Sequence, residues 1–103
     1  MYSTILTGHV SRENWSTLEQ SYAAALKKCP DGLFQTFLLH AESNSNLWHI
    51  VTIWRSKAAY EKAHHLNLTE ICTKLFCDAG SIPERSTFSV VRFYHNSAQM
   101  VAA

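Results

Sequence analysis

Apolar residues in the first third of this chain change from a strand spacing to a helix spacing. Residues 5–10 alternate in the manner of a first β-strand. The next stretch has helical spacing, with an apolar stripe formed by Trp15, Leu18, Tyr22, Ala25 and Leu26. The segment Pro30-Asp31-Gly32 then ends this predicted amphipathic helix.

The middle of the chain predicts a hairpin followed by two helices. Residues 33–41 and 47–54 are rich in β-branched and aromatic residues, and the polar turn between them joins them as neighbouring strands. Residues 57–65 predict a second helix. Asn67, with Glu70 three residues later, has the form of a capping box that starts a third. Its inner face would consist of Leu68, Ile71, Cys72, Leu75 and Phe76.

The last predicted strand, residues 88–95, completes the order β-α-β-β-α-α-β. This order predicts an α+β fold, a ferredoxin-like split β-α-β plait, with an antiparallel four-stranded sheet and helices on one face. We expect one domain of 103 residues, with a flexible tail over residues 96–103. Exposing the other, apolar sheet face would cost roughly 25 cal/mol per Å². We therefore expect a homodimer that pairs these faces, with the strand at 88–94 contributing.

Composition excludes several classes of partner. The net charge is +1, and nine scattered basic residues are nearly balanced by eight acidic ones, which disfavours nucleic acid. The chain has no apolar run long enough to span a membrane and no basic leader, so the expected location is the cytoplasm. The three cysteines are odd in number and lack a paired spacing, which indicates buried thiols and not a disulfide framework.

The junction between the third strand and the second helix carries the most specific signal. The strand Ile50–Trp54 delivers a Trp to its end, Ser56 can cap the following helix, and Tyr60 lies one turn into it. This junction resembles the antibiotic biosynthesis monooxygenase family, whose members are dimeric α+β barrels. The likeness extends over most of the chain and is specific at this point.

The resemblance implies a pocket for a planar hydroxylated aromatic, lined by strand ends and by the segment from Tyr60 to Phe76. Trp54 and Tyr60 match a substrate-binding aromatic pair of quinone-forming members, and Ile50 replaces an Asn that those members place four residues before the Trp. The remaining candidates are Lys74 as the cation for a phenolate and His64 or His65 as the base. In the alternative interpretation, Trp54 and Tyr60 only pack the core.

No cofactor is expected. A deprotonated dihydroxyaromatic can give an electron to O₂ directly, if the protein binds the anion and excludes water. A haem-degrading relative uses an Asn, Trp and His triad, but Ala63 and Thr73 stand at its Trp and His positions. The six histidines show no i,i+4 pair for a metal, and the three glycines form no phosphate-binding loop. Two functions remain: a cofactor-independent monooxygenase, or a non-catalytic dimeric module that binds a small ligand.

Overall fold

Four strands and three helices alternate along the chain in the predicted order, in a computed structural model that describes residues 1–96. A short 3₁₀ turn, Arg12–Asn14, precedes the first helix. The strands are β1 (Tyr2–His9), β2 (Leu33–His40), β3 (Leu47–Trp54) and β4 (Glu84–Ser89). The helices are α1 (Trp15–Ala25), α2 (Lys57–His65) and α3 (Glu70–Asp78).

The sheet is antiparallel throughout and has the strand order β2-β3-β1-β4. The predicted α+β ferredoxin-like fold is therefore confirmed. The predicted cap of α2 is also present, because the Ser56 hydroxyl accepts a hydrogen bond of 3.0 Å from the backbone N–H of Ala59.

Three predicted boundaries are wrong. The first strand begins at Tyr2 and not at residue 5, because its pairing with β3 continues as far as Trp54. Asn67 does not cap α3: it adopts a left-handed conformation with φ of 62°, which Asn tolerates better than most residues, and Thr69 stands at the N-cap. The last strand is Glu84–Ser89 and not residues 88–95. Pairing with β1 sets these bounds, from Glu84 opposite Thr7 to Ser89 opposite Tyr2, and one further backbone hydrogen bond of 3.1 Å runs from the Val90 N–H to the Met1 carbonyl. Most of the predicted tail, residues 97–103, lies outside the described residues.

The main hydrophobic core covers one end of the inner sheet face. The buried cluster there consists of Leu6, Val10, Leu18, Trp48, Ile50, Leu75, Phe76 and Ala79. Beside it, Trp48 stacks on His40 with ring centroids 4.0 Å apart, and Trp15 packs edge-on against both rings. A smaller cluster of Trp54, Tyr60 and Ala63 lies at the opposite end. The space between the two clusters holds the cavity described below.

The outer sheet face carries exposed apolar side chains, as the alternation of the strands predicted. Phe37, Leu39 and Phe88 are 45%, 46% and 50% exposed. Ile5 and Val51 lie between them and help to line a shallow groove on this face. No helix among residues 1–96 is long and apolar enough to cross a membrane.

Close packing between the sheet and α3 makes Gly8 sensitive to substitution. A Cβ atom at Gly8 would lie 2.6 Å from a ring carbon of Phe76, which is fully buried. We expect Gly8→Ala to lower the free energy of unfolding by about 1–3 kcal/mol through overpacking. Urea denaturation measures this, with His9→Ala at an exposed neighbouring position as the control. Equal stability of Gly8→Ala and the wild type would contradict the close contact.

Candidate functional site

A cavity lies between the inner sheet face and the helices, in the part of the fold that the main core leaves open. It contains about 620 Å³ of empty space, part of which is continuous with solvent. Its floor comes from β1, β2 and β3, and one wall comes from α1 and the loop that follows it. The opposite wall comes from α2, α3 and the turn between them, represented by Tyr60, Leu68, Thr69, Ile71 and Cys72.

Trp54 and Tyr60 form the aromatic corner that the sequence predicted. Their ring centroids are 5.5 Å apart in an edge-to-face arrangement, and both side chains line the cavity. Tyr2 packs against Tyr60 from the other side, at 5.4 Å. The two residues therefore pack in a small core cluster and also present ring surface to the cavity, so the two interpretations of this pair are compatible.

The floor of the cavity contains a row of hydroxyl groups. Thr36, Thr52, Thr4 and Thr87 lie directly opposite one another on β2, β3, β1 and β4, and the first three line the cavity. The Trp54 indole N–H donates to the Thr4 hydroxyl at 3.1 Å, and the Tyr22 hydroxyl donates to that of Thr36 at 3.1 Å. We did not single out these threonines from the sequence, because only the strand register aligns them.

Arg85 on β4 is a cation at the cavity, whereas Lys74 is not among the lining residues. Arg85 lines the cavity. Its Nη2 group donates hydrogen bonds to the Thr69 carbonyl at 3.3 Å and to the Thr73 hydroxyl at 3.0 Å. Lys74 is exposed and does not line the cavity. Sequence analysis missed Arg85 because the last strand was predicted to begin at residue 88. A strand starting at 84 would have placed Arg85 on the inner face with Thr87.

The other predicted site residues are distributed around the cavity and not all within it. Ile50 lines it. Phe76 belongs to the main core and is fully buried. His64 lies behind Tyr60, with stacked ring centroids 5.6 Å apart, and its Nδ1 is 2.8 Å from the hydroxyl of Thr69. His65 is exposed and, like His64, does not line the cavity.

The charges around the cavity are of one sign. Arg85 and Lys28 are among its lining residues, whereas no Asp, Glu or His is found among those lining residues within the described part of the chain. No group of three or more His, Cys, Asp or Glu residues within residues 1–96 is placed to hold a metal ion. The arrangement favours an anionic ligand with an apolar body.

Two thiols also line the cavity, those of Cys29 and Cys72. The prediction of buried thiols is wrong for Cys29 and Cys77, which are exposed, and Cys72 is half-buried. Burial raises the pKa of the Cys72 thiol, the Arg85 guanidinium partly opposes that shift, and Cys29 adds to it. Cys72 is therefore a neutral thiol at physiological pH, and it adds no negative charge to the cavity.

This pKa shift predicts slow alkylation of Cys72. Because iodoacetamide reacts with the thiolate, we expect Cys72 to be labelled appreciably only at alkaline pH. Peptide mass spectrometry after timed labelling measures the rate at each pH, and the exposed Cys77 serves as the internal reference. Labelling of Cys72 as rapid as that of Cys77 at neutral pH would contradict the burial.

Comparison with known proteins relates this architecture to solved structures. No family model matches the chain, and no curated protein matches its sequence. A proposed antibiotic biosynthesis monooxygenase from Deinococcus radiodurans is similar, with a TM-score of 0.69, 17% identity, and coverage of 93% of this chain and 98% of that one.

Two further solved structures have names that describe an activity. SnoaB, a cofactor-independent oxygenase from Streptomyces nogalater, has a TM-score of 0.63 and 15% identity, with 89% of this chain and 94% of that one covered. The heme-degrader MhuD from Mycobacterium tuberculosis, solved with two hemes in its active site, has a TM-score of 0.68 and 19% identity, with 92% and 100% covered.

The chain therefore has the fold of the antibiotic biosynthesis monooxygenases. The resemblance predicted from Trp54, Ser56 and Tyr60 is confirmed as a likeness of fold. At these identities the similarity carries no information about substrate, so function must be argued from the cavity itself.

Proposed function

We propose that this protein is a cofactor-independent monooxygenase that oxidises a hydroxylated aromatic bound as its phenolate. The observation that carries the proposal is that one cavity combines an aromatic corner, two cationic side chains and no acidic group in its described lining. Proteins of this fold include an enzyme named as a cofactor-independent oxygenase, which supports the same kind of chemistry.

The proposed reaction needs little from the protein beyond binding and the exclusion of water. The bound phenolate transfers one electron to O₂, which leaves an aryloxyl radical and superoxide. Combination of the two radicals forms a C–O bond, and protonation followed by loss of water from the hydroperoxide gives a quinone. A cation beside the phenolate oxygen favours the reactive anionic form of the substrate.

The proposal assigns a role to three residues of the cavity lining and to one residue behind it. Trp54 and Tyr60 hold the ring plane, and the Tyr60 hydroxyl donates to a substrate oxygen. Arg85 stabilises the phenolate, in the part first expected of Lys74. His64 reaches the cavity only through Thr69 or Tyr60, so it is a positioning residue. The exposed His65 and Lys74 have no part in it.

Separate substitution of Arg85 and of Lys74 tests which of the two cations stabilises the phenolate. Arg85→Met should weaken binding of a dihydroxynaphthalene phenolate by about 1.5–3 kcal/mol, the contribution of a hydrogen bond to a charged group. Tyr60→Phe should cost about 0.5–1.5 kcal/mol. Lys74→Met is the matched control and should bind as the wild type does. Fluorescence titration across the ligand's pKa measures all three.

Oxygen uptake with the same ligand decides between catalysis and binding alone. We expect uptake by the wild type and a marked loss in Arg85→Met. Binding without uptake would favour the alternative, a non-catalytic module that binds a small aromatic ligand. Failure of the wild type to bind the ligand would contradict both.

We further propose that the protein is a homodimer joined through the outer sheet face. This face exposes Phe37, Leu39 and Phe88 around a largely apolar groove. The same face of a second copy is a twisted apolar surface that can pack against this one, with the two sheets about 10 Å apart.

Light scattering at micromolar concentration tests the dimer. We expect a dimeric mass for the wild type and a shift towards monomer in Phe88→Asp, because the substitution buries a charge in the interface. Ile82→Asp is the control, since Ile82 is 92% exposed in the loop before β4. A monomeric wild type would contradict the proposal.

A further inference from the structure

We propose that Thr36, Thr52 and Thr4 form a hydrogen-bond-donating row that recognises acceptor oxygens along one edge of a planar aromatic ligand. This inference rests on the proposed binding of a phenolate in the same cavity. It narrows the ligand class to aromatics whose phenolate or carbonyl oxygens lie on one edge, over a ring system that is otherwise apolar.

The row follows from strand register. Thr52 of β3 lies directly opposite Thr4 of β1 on one side and Thr36 of β2 on the other. The hydroxyl oxygens of Thr36 and Thr52 are 3.5 Å apart. Thr4 and Thr52 are 7% and 4% exposed, so their hydroxyl groups meet bulk water only through the cavity.

The neighbouring rows on the same face are largely apolar. On one side lie Leu38, Ile50 and Leu6, and on the other lie Leu33, Trp54 and Tyr2. A planar ring resting on this floor contacts apolar side chains on both sides of a single polar line. Oxygen substituents along one edge of the ring can reach that line, whereas oxygens distributed around the ring would be placed against apolar groups.

The hydrogen bonds at the two ends of the row indicate where its hydrogens point. The indole N–H of Trp54 can only donate, so Thr4 accepts there and its own hydroxyl hydrogen remains available. At the other end Thr36 accepts from Tyr22, so its hydrogen can go to Thr52. The hydrogen of Thr52 is then available as well. Among residues 1–96, neither of these two hydrogens has another hydrogen-bonding partner.

Available donors with no anionic neighbour are suited to acceptor oxygens. A phenolate or ketone oxygen accepts from them, while a ligand edge that carries only donors would leave the row unsatisfied. The row thus complements Arg85. The guanidinium attracts the negative charge of the ligand, and the threonine hydroxyls determine where its oxygens lie.

Equilibrium dialysis under nitrogen, with 1,3-dihydroxynaphthalene and with naphthalene, tests the row. We expect Thr52→Val to raise the Kd for the dihydroxy compound by roughly two- to tenfold and to leave the Kd for naphthalene unchanged. Valine keeps the β-branched shape, so the apolar contacts persist. Thr52→Ser should restore the affinity, and Thr52→Ala gives a second side chain without a hydroxyl.

Thr87→Val is the matched control, because Thr87 belongs to the same row but is exposed and does not line the cavity. It should change neither Kd. An equal effect of Thr52→Val on both ligands, no effect on either, or a wild type that binds neither ligand would overturn the proposal.

The outcome is separable from that of the proposed function, because binding is measured without O₂. If the variants discriminate as expected but the wild type takes up no oxygen, the row stands and the monooxygenase proposal fails. If oxygen is taken up but Thr52→Val affects both ligands equally, the row fails and the monooxygenase proposal stands.

Discussion

The register of β1 between β3 and β4 is the constraint on which the rest of this structure depends. Side chains on a strand alternate between faces, so a shift of one residue would move Leu6 and Thr4 to the outer face and bring Ile5 inward. In the observed register, Gly8 meets Phe76 where no side chain fits, and Thr4 meets Thr52. Core packing and the chemistry of the cavity thus follow from one alignment.

The inner face is divided between stability and binding. Large side chains such as Trp48 and Phe76 fill one end, and they bury most of the apolar surface that holds α1 and α3 on the sheet. At the other end, α2 packs on Trp54 through Tyr60 and Ala63, and between the two ends the strands carry a row of threonines. The cavity is present because short side chains occupy this row, where side chains as large as leucine would have filled the space.

The electrostatic character of the cavity depends on two features of its described lining: it contains two cationic side chains, and it contains no carboxylate. A carboxylate near Arg85 would neutralise the guanidinium charge and weaken its attraction for a phenolate. The groups that accept hydrogen bonds from Arg85 are instead a neutral carbonyl and a neutral hydroxyl. The half-buried Cys72 thiol stays protonated and adds no negative charge that would oppose the positive field. Ile50 adds an apolar side chain to the floor, so in the proposed mode of binding the ligand oxygens meet the threonines and Tyr60.

The local pattern of the sequence determined the order of the elements, the hairpin, the Ser56 cap and the Trp54–Tyr60 corner, because each depends on residues near one another in the chain. The extent of β4 and the cation at the cavity were decided only by the tertiary structure. β4 is polar on its own and is defined by pairing with β1, and Arg85 reaches the cavity only through that pairing. The threonine row also brings together residues 4, 36 and 52, which no local period connects, and only the sheet register makes them neighbours.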